Sequence, residues 1–401
     1  MKVTAVETVR CDAYPNLIWV RIETDDGLTG LGESYFGTAT AEEHIHGFAA
    51  PRLVGQDPRP VARHAEAMRG YLGFAGTGAE MRGNSAIDIA LWDLLGKVAG
   101  LPLHTLLGGA VRDRVRVYNT CAGPDYVKTT QEVRPDNFGL PASASKTRYD
   151  DLDAFLNRAD ELAHELLEMG IGGMKIWPFD FAAEANRGLW ISSAELARAI
   201  EPFEKIRDAV GDRIEIKAEL HGLWHLAPAL RIADALEEFD LSWIEDPVRM
   251  DHPGTLAEFT DACVSPVAAG ETLGGVAAFR ELMERHAVDI PIIDLSWGGG
   301  LTVARKVADL ADAWRRPVAA HDCSGPVVLA ASVHLAMAAL NVAEQEMVRA
   351  FYYGWYGDLV TALPPVEDGH IRAPDGPGLG LELDPAFLGR PDIRRRRTVA
   401  D

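Results

Sequence analysis

IEIKAELHGLWH (214–225), LSWIEDPVRM (241–250) and SPVAAGETLGG (265–275) follow one another in the chain, and each places a glutamate just after its apolar run: Glu219, Glu245 and Glu271. The acids recur every 26 residues. Each follows a short apolar run, with 241–244 and 266–269 the cleaner cases and 214–218 a more polar version, and a helix-length segment fills each gap. That is a βα repeat. Parallel strands joined by helical crossovers are buried on both faces and read as apolar runs, not as strict alternation. In a closed barrel every strand delivers its C-terminal end to one rim, so three acids at strand ends can meet there. Like carboxylates brought close together raise one another's pKa and repel. A hard divalent cation cancels that charge, and an all-oxygen set of three glutamates suits Mg²⁺ better than zinc, which prefers nitrogen and sulfur.

The 401 residues exceed one ordinary domain, and 47% hydrophobic residues are enough for a large core. A net charge of −21 argues against nucleic acid and against an anionic membrane surface as partners. It leaves an anionic small substrate open, because a bound cation inverts the local field. Cys11, Cys121, Cys263 and Cys323 form no CxxC pair, so neither a disulfide framework nor a zinc knot is expected. The opening MKVTAVETVR lacks an apolar signal core, and a cytoplasmic location is expected. The apolar stretch 326–343 is interrupted by Ser332, His334 and Asn341 and reads as a buried helix followed by a strand, not as a membrane span.

Upstream, 3–9, 17–24 and 28–34 have strand character, with Asp26-Gly27 as a hairpin signal. Helical segments follow at 41–50, 62–71 and 83–100. From Val115 strand and helix alternate, placing strands near 115–121, 172–177, 213–218, 241–245, 266–270, 289–294, 316–320 and 342–346. The expected domains are an α+β cap over 1–113, a barrel over 114–350 and a C-terminal segment over 351–401. Residues 124–150 form a long insertion at the rim, which suits a substrate-facing lid or an oligomer contact. Arg394 to Arg397 read as a solvated tail.

Further strand ends offer chemistry. His221 lies two residues beyond Glu219, where an extended chain would point both side chains the same way, as a proton donor beside the metal. Asp294 and His321 lie 27 residues apart, one βα unit. The acid would orient the imidazole and leave its other nitrogen as a general base. Lys175 would place a positive charge opposite the metal, and Glu346 ends the last strand.

Taken together, these motifs resemble the enolase superfamily, in its mandelate racemase and acid-sugar dehydratase branch. The likeness covers nearly the whole chain: SAIDIALWD (85–93), Pro102, LLGG (106–109), the WIEDP and GET contexts of the acids, the Asp294–His321 pair and His221. It implies a modified TIM barrel, (β/α)₇β, under an α+β N-terminal cap that the C-terminal segment completes. It implies Mg²⁺ on Glu219, Glu245 and Glu271, and His221, Asp294 and His321 as catalytic groups, to which the strand ends add Lys175 and Glu346. Family geometry points to Tyr14, Asn16 and Trp177 as substrate contacts, with 71–81 and 352–356 shaping the pocket, and to a homo-oligomer.

Two departures stand out. Many relatives carry Lys-x-Lys on the second strand, whereas here the pair is Lys175 and Trp177, and an indole takes no proton. The first ligand is Glu where Asp is common. The expected chemistry is abstraction of the proton α to a carboxylate, giving an enediolate. Since only one face clearly carries a base, β-elimination of water from an aldonate or aldarate to a 2-keto-3-deoxy acid is favoured over racemisation, epimerisation or cycloisomerisation of a carboxylate substrate. A barrel that binds metal or ligand without turnover is the alternative from another class.

Overall fold

The computed structural model describes residues 1–71, 73, 76–125 and 149–399. The 124–150 insertion therefore falls almost wholly outside the described residues, as does part of the 71–81 segment.

The N-terminal sheet is antiparallel. Its strands are β1 (Val3–Cys11), β2 (Tyr14–Thr24) and β3 (Thr29–Tyr35), and the β2–β3 turn carries Gly27 at φ 79°. Helices Thr38–His44, Val61–Ala67 and Ala79–Ala99 follow. The last packs directly on β3, where Gly32 faces the Ala86 carbonyl so closely that a Cβ would overlap it.

Eight parallel strands come next: β4 (Val115–Thr120), β5 (Gly173–Ile176), β6 (Glu215–Glu219), β7 (Trp243–Glu245), β8 (Val267–Ala269), β9 (Ile290–Ile293), β10 (Val318–Ala320) and β11 (Val342–Met347). They lie next to one another in sequence order, and β11 returns to pair with β4, so the barrel closes. Closure removes both sheet edges and places the chain between successive strands on the outside as helices. The helix Pro326–Ala338 is buried along its whole length, since it packs on the barrel inside and the cap outside. No described helix is long and apolar enough to cross a membrane.

Beyond the barrel, β12 (Val366–Glu367) and β13 (His370–Ile371) form a hairpin that pairs antiparallel with the start of β4. The last strand, β14 (Ile393–Val399), adds to the cap sheet along β1. The reading of Arg394–Arg397 as a solvated tail is thus corrected. Arg394 pairs with Asp12 at 2.9 Å, Arg396 with Glu43 at 2.5 Å, Arg395 with Glu7 at 3.7 Å, and Arg397 with Glu23. The run is an edge strand whose cations answer acids on the cap.

Buried acids join cap to barrel. Glu33 accepts from the Trp19 indole at 2.6 Å and from the Val328 amide at 3.0 Å, at the open N-terminus of helix Pro326–Ala338. Asp88 accepts from the Thr302 amide at 2.9 Å, and Ser85 from the Gly299 amide at 3.0 Å, at the start of helix Gly300–Ala313. Helix N-termini leave amide donors unsatisfied, so each contact fixes the cap over the rim.

Candidate active site

Glu219 and Glu245 end neighbouring strands in direct register, and Glu271 lies two residues past β8, after Gly270 at φ 125°. One carboxylate oxygen from each lies within 4.8 Å of the others, and all three residues are buried. Burial raises the pKa of Glu245 and of Glu271. Lys175, at the end of β5, sits among these acids, with Nζ 2.6 Å from Glu245, 3.0 Å from Glu346 and 3.1 Å from Glu219. It therefore stands beside the acids, not across the cavity from them. Burial alone would lower its pKa, but Glu245, Glu346 and Glu219 hold it well above the usual lysine value. Glu346 accepts from the Thr120 hydroxyl and, at 2.8 Å, from the Asp322 amide.

A buried three-glutamate, all-oxygen set with one ammonium beside it remains over-supplied with negative charge, which fits a hard divalent cation.

Asp294 and His321 follow β9 and β10, and the His321 Nδ1–H donates to Asp294 Oδ2 at 2.6 Å. The second oxygen, Oδ1, accepts from the Ser296 hydroxyl and the Trp297 amide, both at 2.7 Å. The ring is thereby fixed with Nε2 facing Glu271 Oε2 at 3.3 Å. Burial would lower the pKa of His321, but Glu271, Glu346 and Asp294 raise it well above the ordinary imidazole value.

His221 does not continue β6 as an extended residue. It turns at φ 49°, and its backbone amide donates to Glu219 at 2.7 Å. Its Nδ1 bonds Asp180 Oδ2 at 2.8 Å. Against the effect of burial, Asp180 and Glu219 push its pKa up to about 10. Asp180 was missed in the sequence, although WPFD (177–180) places an acid just past a strand end.

His221, His321, Lys175, Trp177, Glu219, Glu271 and Glu346 all line one small cavity of about 40 Å³. Tyr14 and Asn16 do not line it. Tyr14 packs instead on Trp355 and Phe387, with ring centroids 5.0 and 6.4 Å away. The cap wall is Tyr35 and Phe36, at the end of β3, facing Trp297 of the barrel. A larger hollow of about 620 Å³ opens beside it, sharing His221 and lined by Thr77, Asp246, Arg249 and Thr272.

A family model for the mandelate racemase / muconate lactonizing enzyme N-terminal domain matches residues 2–108, and an enolase C-terminal domain-like model matches 158–387. The chain belongs to the enolase superfamily. Within the superfamily it falls in the mandelate racemase / muconate lactonizing enzyme subgroup. It is 33% identical over 388 residues to a D-xylonate dehydratase of Haloferax volcanii, covering 96% of this chain and 87% of that one. It is 31% identical over 410 residues to a D-galactonate dehydratase of Ralstonia nicotianae, covering 100% and 96%. A crystal structure of a mandelate racemase subgroup enolase from Agrobacterium tumefaciens is 47% identical with a TM-score of 0.88, covering 100% of this chain and 99% of that one. The buried Glu219, Glu245 and Glu271 triad is of the kind that holds the superfamily's divalent metal.

Proposed function

We propose that this chain is a Mg²⁺-dependent acid-sugar dehydratase that removes the proton α to the carboxylate of an aldonate or aldarate and expels the β-hydroxyl, giving a 2-keto-3-deoxy acid. The observation that carries the reading is the Asp294–His321 dyad, whose ring reaches the glutamate triad at Glu271 while both histidines face one cavity. The two dehydratases that the chain resembles support the same chemistry.

Glu219, Glu245 and Glu271 would hold the cation, which supplies Lewis-acid stabilisation of the charge that develops on the substrate carboxylate. With Glu271 engaged as a ligand and not facing the imidazole, His321, oriented through Nδ1 by Asp294, would be free to take the α-proton at Nε2. Lys175 and Glu346 set the charge around the substrate carboxylate. His221, held protonated by Asp180, donates to the departing hydroxyl from another wall of the cavity. Trp177 closes that wall with its ring 5.6 Å from His221. The small cavity takes the reacting carbons, and the remaining polyol extends into the larger hollow.

Lys175 makes three contacts with carboxylates, which keep it charged and unavailable as a second base, and this disfavours a racemase. The test is turnover of a panel of aldonates and aldarates with Mg²⁺, read as 2-keto acid. Release of keto acid that is lost in His321→Asn is expected, and α-proton exchange with no keto acid from any substrate would overturn the reading.

A further inference from the structure

Beneath the acids lies a second layer of the barrel that the chemistry above does not use. Along a strand, residues two apart share a face, so Trp243 lies under Glu245, Lys217 under Glu219, Gly173 under Lys175 and Glu344 under Glu346. Lys217 and Trp243 are also register partners across β6 and β7, as are Glu219 and Glu245 above them.

The two layers touch at one polar contact. The Trp243 indole N–H donates to Glu245 Oε2 at 2.8 Å while Lys175 donates to Oε1 at 2.6 Å, so both oxygens are tethered from protein groups. A carboxylate offers about four lone-pair directions, which leaves it free to coordinate while so held. The indole is itself clamped. The Lys217 ammonium lies 4.4 Å from its ring centroid, and Tyr118 meets it edge-on at 5.2 Å and 89°. Lys217 is fully buried and pairs with Glu344 at 2.9 Å, and Glu344 in turn meets Arg116 at 3.2 Å. A Cβ on Gly173 would sit 3.1 Å from the Lys217 ammonium, so the glycine keeps that space open.

We propose that Trp243 is a positioning residue for the divalent-cation site. Its indole N–H sets the orientation of the Glu245 carboxylate, and Lys217, anchored from the barrel floor, sets the indole. The proposal rests on the metal reading of the triad given above. A ligand carboxylate held in one orientation binds better than one free to rotate, and loss of a group that orients a ligand typically weakens metal binding about 10–100-fold.

The test is Mn²⁺ binding to the full-length protein, followed by the electron paramagnetic resonance signal of the free ion. Trp243→Phe keeps an aromatic ring and removes the N–H. Tyr118→Phe is the control, because it removes from the same layer a hydroxyl that has no hydrogen-bond partner among the described residues. The expected result is a Kd about 10–100-fold weaker in Trp243→Phe and unchanged in Tyr118→Phe. A Kd within twofold of wild type in Trp243→Phe overturns the proposal. Equal weakening in both variants also overturns it, since the effect is then one of packing. If Trp243→Phe does not fold, Lys217→Met takes its place, with weaker binding expected and unchanged binding overturning the proposal. Wild-type protein that binds no better than Glu271→Gln would instead remove the metal reading itself, an outcome distinct from a failure at Trp243.

Discussion

Replacing Asp294 by Asn changes one atom and, by the geometry, inverts the proton pattern of His321. The Asp294 oxygen held by the Trp297 amide and the Ser296 hydroxyl must remain an acceptor, because a backbone N–H only donates. The new amide NH₂ is therefore forced towards His321, 2.6 Å away in the native protein, and donates to Nδ1. The ring must then carry its proton on Nε2, the nitrogen assigned to take the substrate's α-proton. A positioned general base contributes about 10²–10⁴-fold, so kcat should fall by that factor, about 3–5 kcal/mol of transition-state free energy. Among the described contacts, Asp294 meets the triad through His321, so the Mn²⁺ Kd should stay within about threefold, the precision expected of an unperturbed site. The assay is 2-keto acid release and α-deuterium incorporation on whichever acid sugar the wild type turns over, with Mn²⁺ binding measured in parallel. A variant that keeps kcat within about threefold of wild type would refute the assignment of His321 as the base.

Four further outcomes follow from the same structure. Glu271→Gln removes one of three charged donors and should weaken Mn²⁺ binding by at least the roughly 100-fold that tops the range for a lost supporting group, read by the same titration. His334 is fully buried, donates through Nε2 to the Leu379 carbonyl at 3.2 Å and faces His104 at 3.1 Å; burial lowers its pKa to about 4. The unfolded chain takes up that proton near pH 6.5 and the native protein only near 4, so stability is lost as pH falls through this window, by about 3 kcal/mol; urea unfolding of His334→Gln should lack that part of the slope. Gly32→Ala places a methyl on the Ala86 carbonyl and should cost about 3 kcal/mol or more, seen as a drop of several degrees in thermal midpoint. Arg396→Gln breaks an ion pair whose Glu43 partner is largely exposed and should change stability by less than about 1 kcal/mol, measured by the same unfolding.

The barrel was legible because most of its strands carry their own signal, a short apolar run with a polar residue at or just past its C-terminal end, while the more polar β6 (EIKAE) and β11 (VAEQEM) follow from the βα period. The equal spacing of Glu219, Glu245 and Glu271 follows from one βα unit per acid, and the 27 residues between Asp294 and His321 express the same period. Direct register of Glu219 with Glu245 is what that period produces.

The rest depended on contacts between distant parts of the chain. Asp180 is 41 residues from His221, and nothing local links them until β5 and β6 lie side by side. The strand β14 carries four successive arginines, so no alternation marks it. Its pairing depends on acids in the cap, among them Asp12 and Glu43, that only the folded cap assembles. Tyr14 and Asn16 lie at the start of β2, whereas it is the end of β3 that reaches the cavity with Tyr35 and Phe36. The tethering of Glu245 by Trp243 was present in WIEDP as an i, i+2 pair, but the motif alone does not reveal which face of β7 turns inward.

A dehydratase needs the acids, the dyad and His221 to act together on one substrate. The most direct measurement is a screen of aldonates and aldarates with Mg²⁺ in D₂O, scoring 2-keto acid and α-deuterium together. Keto acid from at least one substrate, abolished in His321→Asn and in Glu271→Gln, is the expected result. Deuterium exchange or inversion at the α-carbon with no keto acid from any substrate would contradict it.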